Sequence, residues 1–354
     1  MSHLTTQAAG SSLYQIADRE IRKCIEVYLA LAKATSGLSE VNAADVEDDR
    51  ARLILLAGIN AITVGSSITA EQAVEEWRRR QAVPFDLESA ITASVYLKIR
   101  PIGAKFLDEL ESKTQGFREF PPDLIASNPY LLPLLQHLAG VFSKAALRKQ
   151  VGNVSDVSIS LPAARRLSAL LRARVNSAAA NKGEILKRLD STLEGIVRDL
   201  VGRVLLESIV DTALRGGGVS FQRESEYASL AGVVYDFRAD FVLPHSERPK
   251  AFIEVRKSSS RHASLYAKDK MFSAINWKGR NAELLAILVV DGEWTRETLR
   301  VMANVFDYVI PISRVPELVD TIKSYLEGDS SKLRWLVDFR IHPARRRAGE
   351  ESSG

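Results

Sequence analysis

Cys24 is the only cysteine in the chain, which excludes an intrachain disulfide and a cysteine-built zinc site. Histidine is scarce as well. His3, His137, His245, His262 and His342 are scattered, with no HxxxH or similar spacing, so a histidine-built metal site is not expected. Long apolar runs are missing: Leu284–Val290, among the most apolar stretches, is far too short to cross a bilayer, and no membrane partner is expected. Residues Met1–Ser12 lack a basic stretch followed by an apolar core, so a secretory signal is not expected and a cytoplasmic, reduced setting is the simplest expectation. There is no GxxxxGK[ST] loop, so no nucleotide cofactor is expected, and no GxSxG elbow. Gly216–Gly217–Gly218 follows a helical pattern rather than a strand, which marks a helix stop and not a dinucleotide site.

What remains is an ordinary globular composition. The 354 residues are 46% hydrophobic and 26% charged, enough for two domains with real cores. A net charge of +4 permits a nucleic-acid partner without requiring one.

Residues 1–183 read as a mainly α-helical domain. Apolar positions at helical spacing predict helices over 13–34 and 49–61. Ser67–Glu71 carries a capping signal for a third helix. Further helices are predicted over 86–99, 103–112 and 130–147, and a basic one over 162–180 that carries Arg165, Arg166, Arg172 and Arg174. That helix reads as plain surface or as a DNA contact. Residues 152–160 read as a short strand or loop.

The pattern changes over 184–328. A long amphipathic helix capped by Asp190 or Ser191 is followed by β-type runs at Val219–Arg223, Val233–Leu243, Ala251–Val255, Leu284–Val290 and Tyr308–Ile312. Helical stretches at 263–276, 295–306 and 315–327 lie between or after them. This order predicts an α/β domain, a mixed sheet flanked by helices. Residues 329–354 form a C-terminal extension, with a basic tail that carries Arg345–Arg346–Arg347 and is expected to be disordered.

Chemistry concentrates in residues 235–258. Alternation places Asp236, Arg238 and Asp240 on one face of a strand. The next strand is apolar except for Glu254 near its end, with Arg256 on the same face and Lys257 on the opposite one unless the strand bulges. A carboxylate at the end of each of two neighbouring strands brings together two hard oxygen ligands, which suits Mg²⁺. The alternative is that both carboxylates serve ion pairs with Arg238 and Arg256. Asp236 reads as a partner of Arg238. Lys268 and Lys270, on the following helix, read as a solvated face that could also contact phosphate or stand in for a catalytic lysine.

The sequence Ala239–Asp240 followed by Glu254–Val255–Arg256–Lys257 resembles the signature of the PD-(D/E)XK nuclease superfamily, the fold of most type II restriction endonucleases. It departs from that signature at Ala239, where the family has proline, and at Arg256, where the family has lysine. The resemblance implies a restriction-endonuclease-like core. It implies Mg²⁺, with Mn²⁺ as a substitute, held by Asp240, Glu254 and the Val255 carbonyl. Glu194, or secondarily Glu207, would be the helix glutamate. Arg256 or Lys257 would fill the catalytic lysine position. It further implies double-stranded DNA as substrate, 5′-phosphate and 3′-hydroxyl ends, sequence-specific cutting and a homodimer. A repair or defence nuclease without sequence specificity, an inactive DNA-binding module of the same fold, and a protein-interaction role for the helical half stay open beside it.

Overall fold

A computed structural model describes residues 10–61, 68–177, 181–259 and 263–341. The chain divides into two compact units. One comprises the described parts of Met1–Tyr28 and Val41–Leu205, and the other those of Leu29–Glu40 and Leu206–Gly354. The division falls inside a continuous helix rather than at residue 183, and a short N-terminal segment joins the C-terminal unit.

The first unit is helical. It contains most of α1 (Leu13–Ala34), then α2 (Asp49–Gly58), α3 (Ala70–Arg79), α4 (Leu87–Lys113), α5 (Pro122–Ser127), α6 (Leu132–Leu138), α7 (Lys144–Val151), α8 (Leu161–Ser177) and the first part of α9 (Lys182–Gly216). Local chemistry sets several starts: Thr69 and Gln72 form a capping box, and the Asp48 and Asp86 carboxylates accept from first-turn N–H groups. Three expectations change. The two helices predicted around Pro101 are one, α4, with the proline inside it. The helix predicted over 130–147 breaks after Leu138, and a new one starts at Ser143, whose hydroxyl accepts from the Ala146 N–H. Asp190 is not a cap. It lies inside the 35-residue α9 and pairs with Arg100, Nε to Oδ1 at 2.9 Å. Residues 152–160 hold a minimal hairpin, β1 (Val154–Ser155) and β2 (Ser158–Ile159).

The second unit is mixed α/β. Its five-stranded sheet follows sequence order: β3 (Gln222–Arg223), β4 (Phe241–Leu243), β5 (Ala251–Ser258), β6 (Leu285–Gly292) and β7 (Tyr308–Pro311). The first three strands form an antiparallel meander, and β5, β6 and β7 run parallel. Between the parallel strands lie α10 (Ala263–Arg280) and α11 (Arg296–Met302), and α12 (Val315–Leu326) follows β7. Val242, Phe252, Ala286, Leu288 and Val290 share one core with Ala267, Ala274 and Trp277 of α10. The opposite sheet face, with Phe241, Ile253, Leu285 and Ile287, is buried as well. A sheet buried on both faces explains why these strands read as apolar runs rather than as alternation.

One buried carboxylate stabilises this unit through both of its oxygens. Asp307 is buried, and its Oδ2 accepts from Lys278 Nζ at 2.6 Å and from the Ala286 N–H at 2.7 Å. Its Oδ1 accepts from the N–H groups of Arg334 and Trp335 at 2.7 and 2.8 Å, which ties these two residues to the core. The described part of the extension holds a 3-10 turn, Ser330–Lys332, and is anchored; the tail with Arg345–Arg347 lies outside the described residues.

Candidate active site

The run predicted as a strand over Val233–Leu243 pairs regularly only from Phe241. Residues 232–240 are an irregular approach to it. The buried Asn276 side chain of α10 holds this approach in place. Its Oδ1 accepts from the Val234 N–H at 2.8 Å, and its Nδ2 donates to the Tyr235 carbonyl at 2.9 Å. Gly232 passes so close that a Cβ there would lie 2.1 Å from Asn276 and 2.2 Å from the Tyr235 carbonyl oxygen. The Tyr227 hydroxyl then donates to the Ala239 carbonyl at 2.8 Å and accepts from the Ala239 N–H at 2.6 Å, clamping the residue before Asp240. Burial first, and the negative charges of Glu254, Glu224 and Asp240 besides, push the Tyr227 hydroxyl well above its ordinary pKa.

Continuing the β4–β5 register by one residue sets Asp240 opposite Glu254. Opposite residues of an antiparallel pair point to the same face, so the two carboxylates face α10. Both are buried, at 8% and 1% exposure. Asp240 Oδ2 accepts from the Val255 N–H at 2.7 Å, which holds that side chain across the strand gap. Glu254 has no such anchor: neither of its oxygens has a well-directed hydrogen bond among the described residues. Its nearest cation is Lys270, whose Nζ lies 2.8 Å from Oε2 in ion-pair contact. Arg256 reaches over both carboxylates, 3.6 Å from Asp240 Oδ2 and 3.5 Å from Glu254 Oε2, and its Nη1 donates to the Val255 carbonyl at 2.9 Å. Burial, reinforced by the Asp240 charge and opposed by Lys270 and Arg256, pushes the Glu254 carboxyl up to about 8.

Asp240, Glu254, Val255 and Arg256 thus come together as the sequence pattern expects. Lys257 does not join them. The β5–β6 register runs without a bulge from Ala251 to Ser258, so Lys257 points from the opposite sheet face and is exposed. The lysine at the carboxylates is Lys270 of α10, 6% exposed rather than on a solvated face; Lys268 is exposed. The sequence does carry a signal for this. Ala263, Ala267, Lys270, Ala274 and Trp277 recur at helical spacing, so Lys270 lies in the stripe that α10 buries.

The other candidates fall elsewhere. Glu194 belongs to the helical unit and pairs with Arg198 at 2.7 Å on the exposed face of α9. Glu207, in the C-terminal unit, pairs with Arg223 of β3 at 2.9 Å. Asp236 accepts from the Gly232 N–H at 3.1 Å and does not pair with Arg238, which faces Glu224 at 3.6 Å. Trp277 is core and the Trp294 indole N–H donates to the Asp291 carbonyl, so both serve packing and local structure.

The donor set suits a hard dication. Two facing carboxylates, one of them deeply buried and without a well-directed hydrogen bond among the described residues, and an adjacent backbone carbonyl match the few protein ligands that Mg²⁺ takes. Among the described residues no group of three or more His, Cys, Asp or Glu side chains is placed to bind a metal. A divalent ion here would have to complete its shell with water or substrate oxygens. No helix among the described residues is long and apolar enough to cross a membrane. No protein-family model matches the chain, and no curated protein or solved structure matches it at a significant level.

Proposed function

We propose that this chain is a Mg²⁺-dependent endonuclease that hydrolyses phosphodiester bonds of double-stranded DNA in the manner of a type II restriction enzyme. The observation that carries the reading is the facing pair Asp240–Glu254 across β4 and β5, with Lys270 Nζ 2.8 Å from Glu254. The element order supports it as well: helix, antiparallel meander, helix, parallel strand is the order that the PD-(D/E)XK resemblance implies.

Asp240, Glu254 and the Val255 carbonyl would hold the ion, which supplies positive charge at the scissile phosphate and acidifies a water. The chain's own groups do the rest. The Val255 N–H fixes one Asp240 oxygen, leaving the other for a ligand. Lys270 balances part of the Glu254 charge from the α10 side and has further N–H donors for a water or phosphate oxygen. Arg256, one third exposed at the mouth, faces an incoming phosphate. A guanidinium in that position acts through its charge and its N–H donors and not as a base.

The test is a cleavage assay on unmethylated phage-type DNA with Mg²⁺ and with excess EDTA. Discrete metal-dependent bands are expected, and Asp240→Ala, Glu254→Ala and Lys270→Met should each lower the rate by at least about a hundredfold. Near wild-type cutting by either carboxylate variant sinks the assignment. A smear would mean a nuclease without sequence specificity. One observation favours a second reading, an inactive DNA-binding module: Lys270 and Arg256 already lie within ion-pair distance of the carboxylates. That reading predicts DNA affinity without cutting under Mg²⁺ or Mn²⁺.

A further inference from the structure

Charge is unevenly distributed along the helical unit. Between Asp123 and Glu184 the chain has one carboxylate, Asp156, and eight basic residues. Asp156 is buried and pairs with Lys144 at 2.8 Å. Lys182 pairs with Asp108 and Glu111. Arg148, Lys149, Arg165, Arg166 and Arg172 are exposed and have no carboxylate within ion-pair distance among the described residues. They lie on α7 and α8, two helices that pack together and are joined by the β1–β2 hairpin.

Two of these arginines are held in fixed orientations. Arg166 Nε donates to the Val151 carbonyl at 2.8 Å, and Arg148 Nε donates to the Val154 carbonyl at 3.2 Å. One turn, 151–154, therefore anchors both guanidinium groups by the Nε edge and leaves their terminal nitrogens for another acceptor. Gly152 makes this possible: it has φ +93°, and a Cβ there would lie 2.7 Å from Arg166 Nη2. On α8 the buried stripe is Ala163, Ala164, Leu167, Ser168 and Leu171. Arg165 and Arg172 stand two turns apart on the outer face, roughly 10 Å along the axis.

We propose that this α7–hairpin–α8 face binds the phosphate backbone of nucleic acid, with Arg148 and Arg166 as oriented forks and Lys149, Arg165 and Arg172 adding attraction. A guanidinium fork matches two phosphate oxygens, and orienting it beforehand lowers the entropy cost of binding. Fixed forks suit phosphates held at the regular spacing of a duplex better than the fluid headgroups of a membrane. Val157 and Leu161 are exposed beside the patch, so anionic vesicles are the competing ligand. The choice of duplex DNA rests on the proposed activity, but binding without metal does not depend on cutting.

The experiment is fluorescence anisotropy of the full chain with a labelled DNA duplex, in EDTA, over a series of salt concentrations. The fourfold variant Arg148→Gln, Arg165→Gln, Arg166→Gln, Arg172→Gln should bind at least about tenfold more weakly at low salt. Its log Kd against log salt slope should flatten by roughly 0.9 per lost contact. Arg148→Lys with Arg166→Lys should keep most of the slope but lose affinity, because charge remains and the fork does not. Should the fourfold variant fold poorly, Lys149→Glu with Arg165→Glu tests the same face without removing a hydrogen bond described above. Unchanged affinity and slope in the variants overturns the proposal. So does a wild-type chain that ignores duplex, or one that prefers phosphatidylserine vesicles. Metal-free binding with no cleavage under Mg²⁺ would remove the nuclease reading and leave this surface standing.

Discussion

Raising the pH without divalent metal should weaken the C-terminal unit, and Glu254 is the reason. Its ordinary pKa is 4.5 and its folded value is about 8, because burial and the Asp240 charge oppose ionisation. A raised folded pKa means that the stabilising contribution of the neutral carboxyl is fully present below 4.5. It is lost as pH rises through 8. Integrating between those limits gives a loss of about 3–4 kcal/mol from about pH 5 to about pH 8. At about 2–4 °C per kcal/mol for a domain of this size, the melting point should fall by roughly 10 °C. Tryptophan fluorescence reads this unit well, since Trp277, Trp294 and Trp335 all belong to it. Glu254→Gln removes the titration, so the difference between wild type and that variant isolates this group from all others. Asp240→Asn keeps an acceptor for the Val255 N–H and removes the repelling charge, so its pH dependence should be shallower. Mg²⁺ should restore stability more at pH 8 than at pH 5, because at low pH a proton competes for the same oxygens; at about a hundred times its Kd the gain is about 2.7 kcal/mol. Parallel pH curves for wild type and Glu254→Gln in EDTA would refute the reasoning, and with it the picture of two mutually repelling carboxylates.

Two further outcomes follow from the supports around the site. Tyr227→Phe deletes the hydroxyl that both donates to and accepts from Ala239, and should cost about 1–3 kcal/mol in urea unfolding while slowing cleavage; unchanged stability would mean that the clamp is dispensable. Lys278→Met strands the buried Asp307 charge without its cation and should cost about 3–5 kcal/mol, measured the same way; a loss below about 1 kcal/mol would mean that the backbone donors to Asp307 suffice.

The legible part of the site was the part encoded locally. Asp240, Glu254 and Arg256 are polar positions in apolar strand surroundings, and period-two alternation assigns their faces. Lys257 could be placed on the far face by the same rule. Lys270 could not be placed by strand logic, because its role depends on how α10 packs on β5 and β6. Only its position in the Ala263–Trp277 stripe points inward. Val233–Val234–Tyr235 shows the opposite failure. Its β-type residues read as strand, but the amide of Asn276, some forty residues away, supplies the partners that a neighbouring strand would have supplied. Pro101 misled through an ordinarily sound rule, that proline ends helices; α4 continues through it on tertiary packing, with Ile99, Gly103 and Phe106 buried around it. Long-range partners of this kind leave no mark in a window of local sequence.

The Asp307 anchor has a consequence for synthesis of the chain. Lys278 and Ala286 are made before Asp307, so Oδ2 finds its partners as soon as that residue is available. Oδ1 waits for the main-chain N–H groups of Arg334 and Trp335. A nascent chain that has not yet emerged beyond Leu333 must either bury a carboxylate oxygen without a partner or leave that corner of the sheet open to water. On the ribosome, the Asp307 corner of the C-terminal unit therefore stays incomplete until Arg334 and Trp335 have emerged.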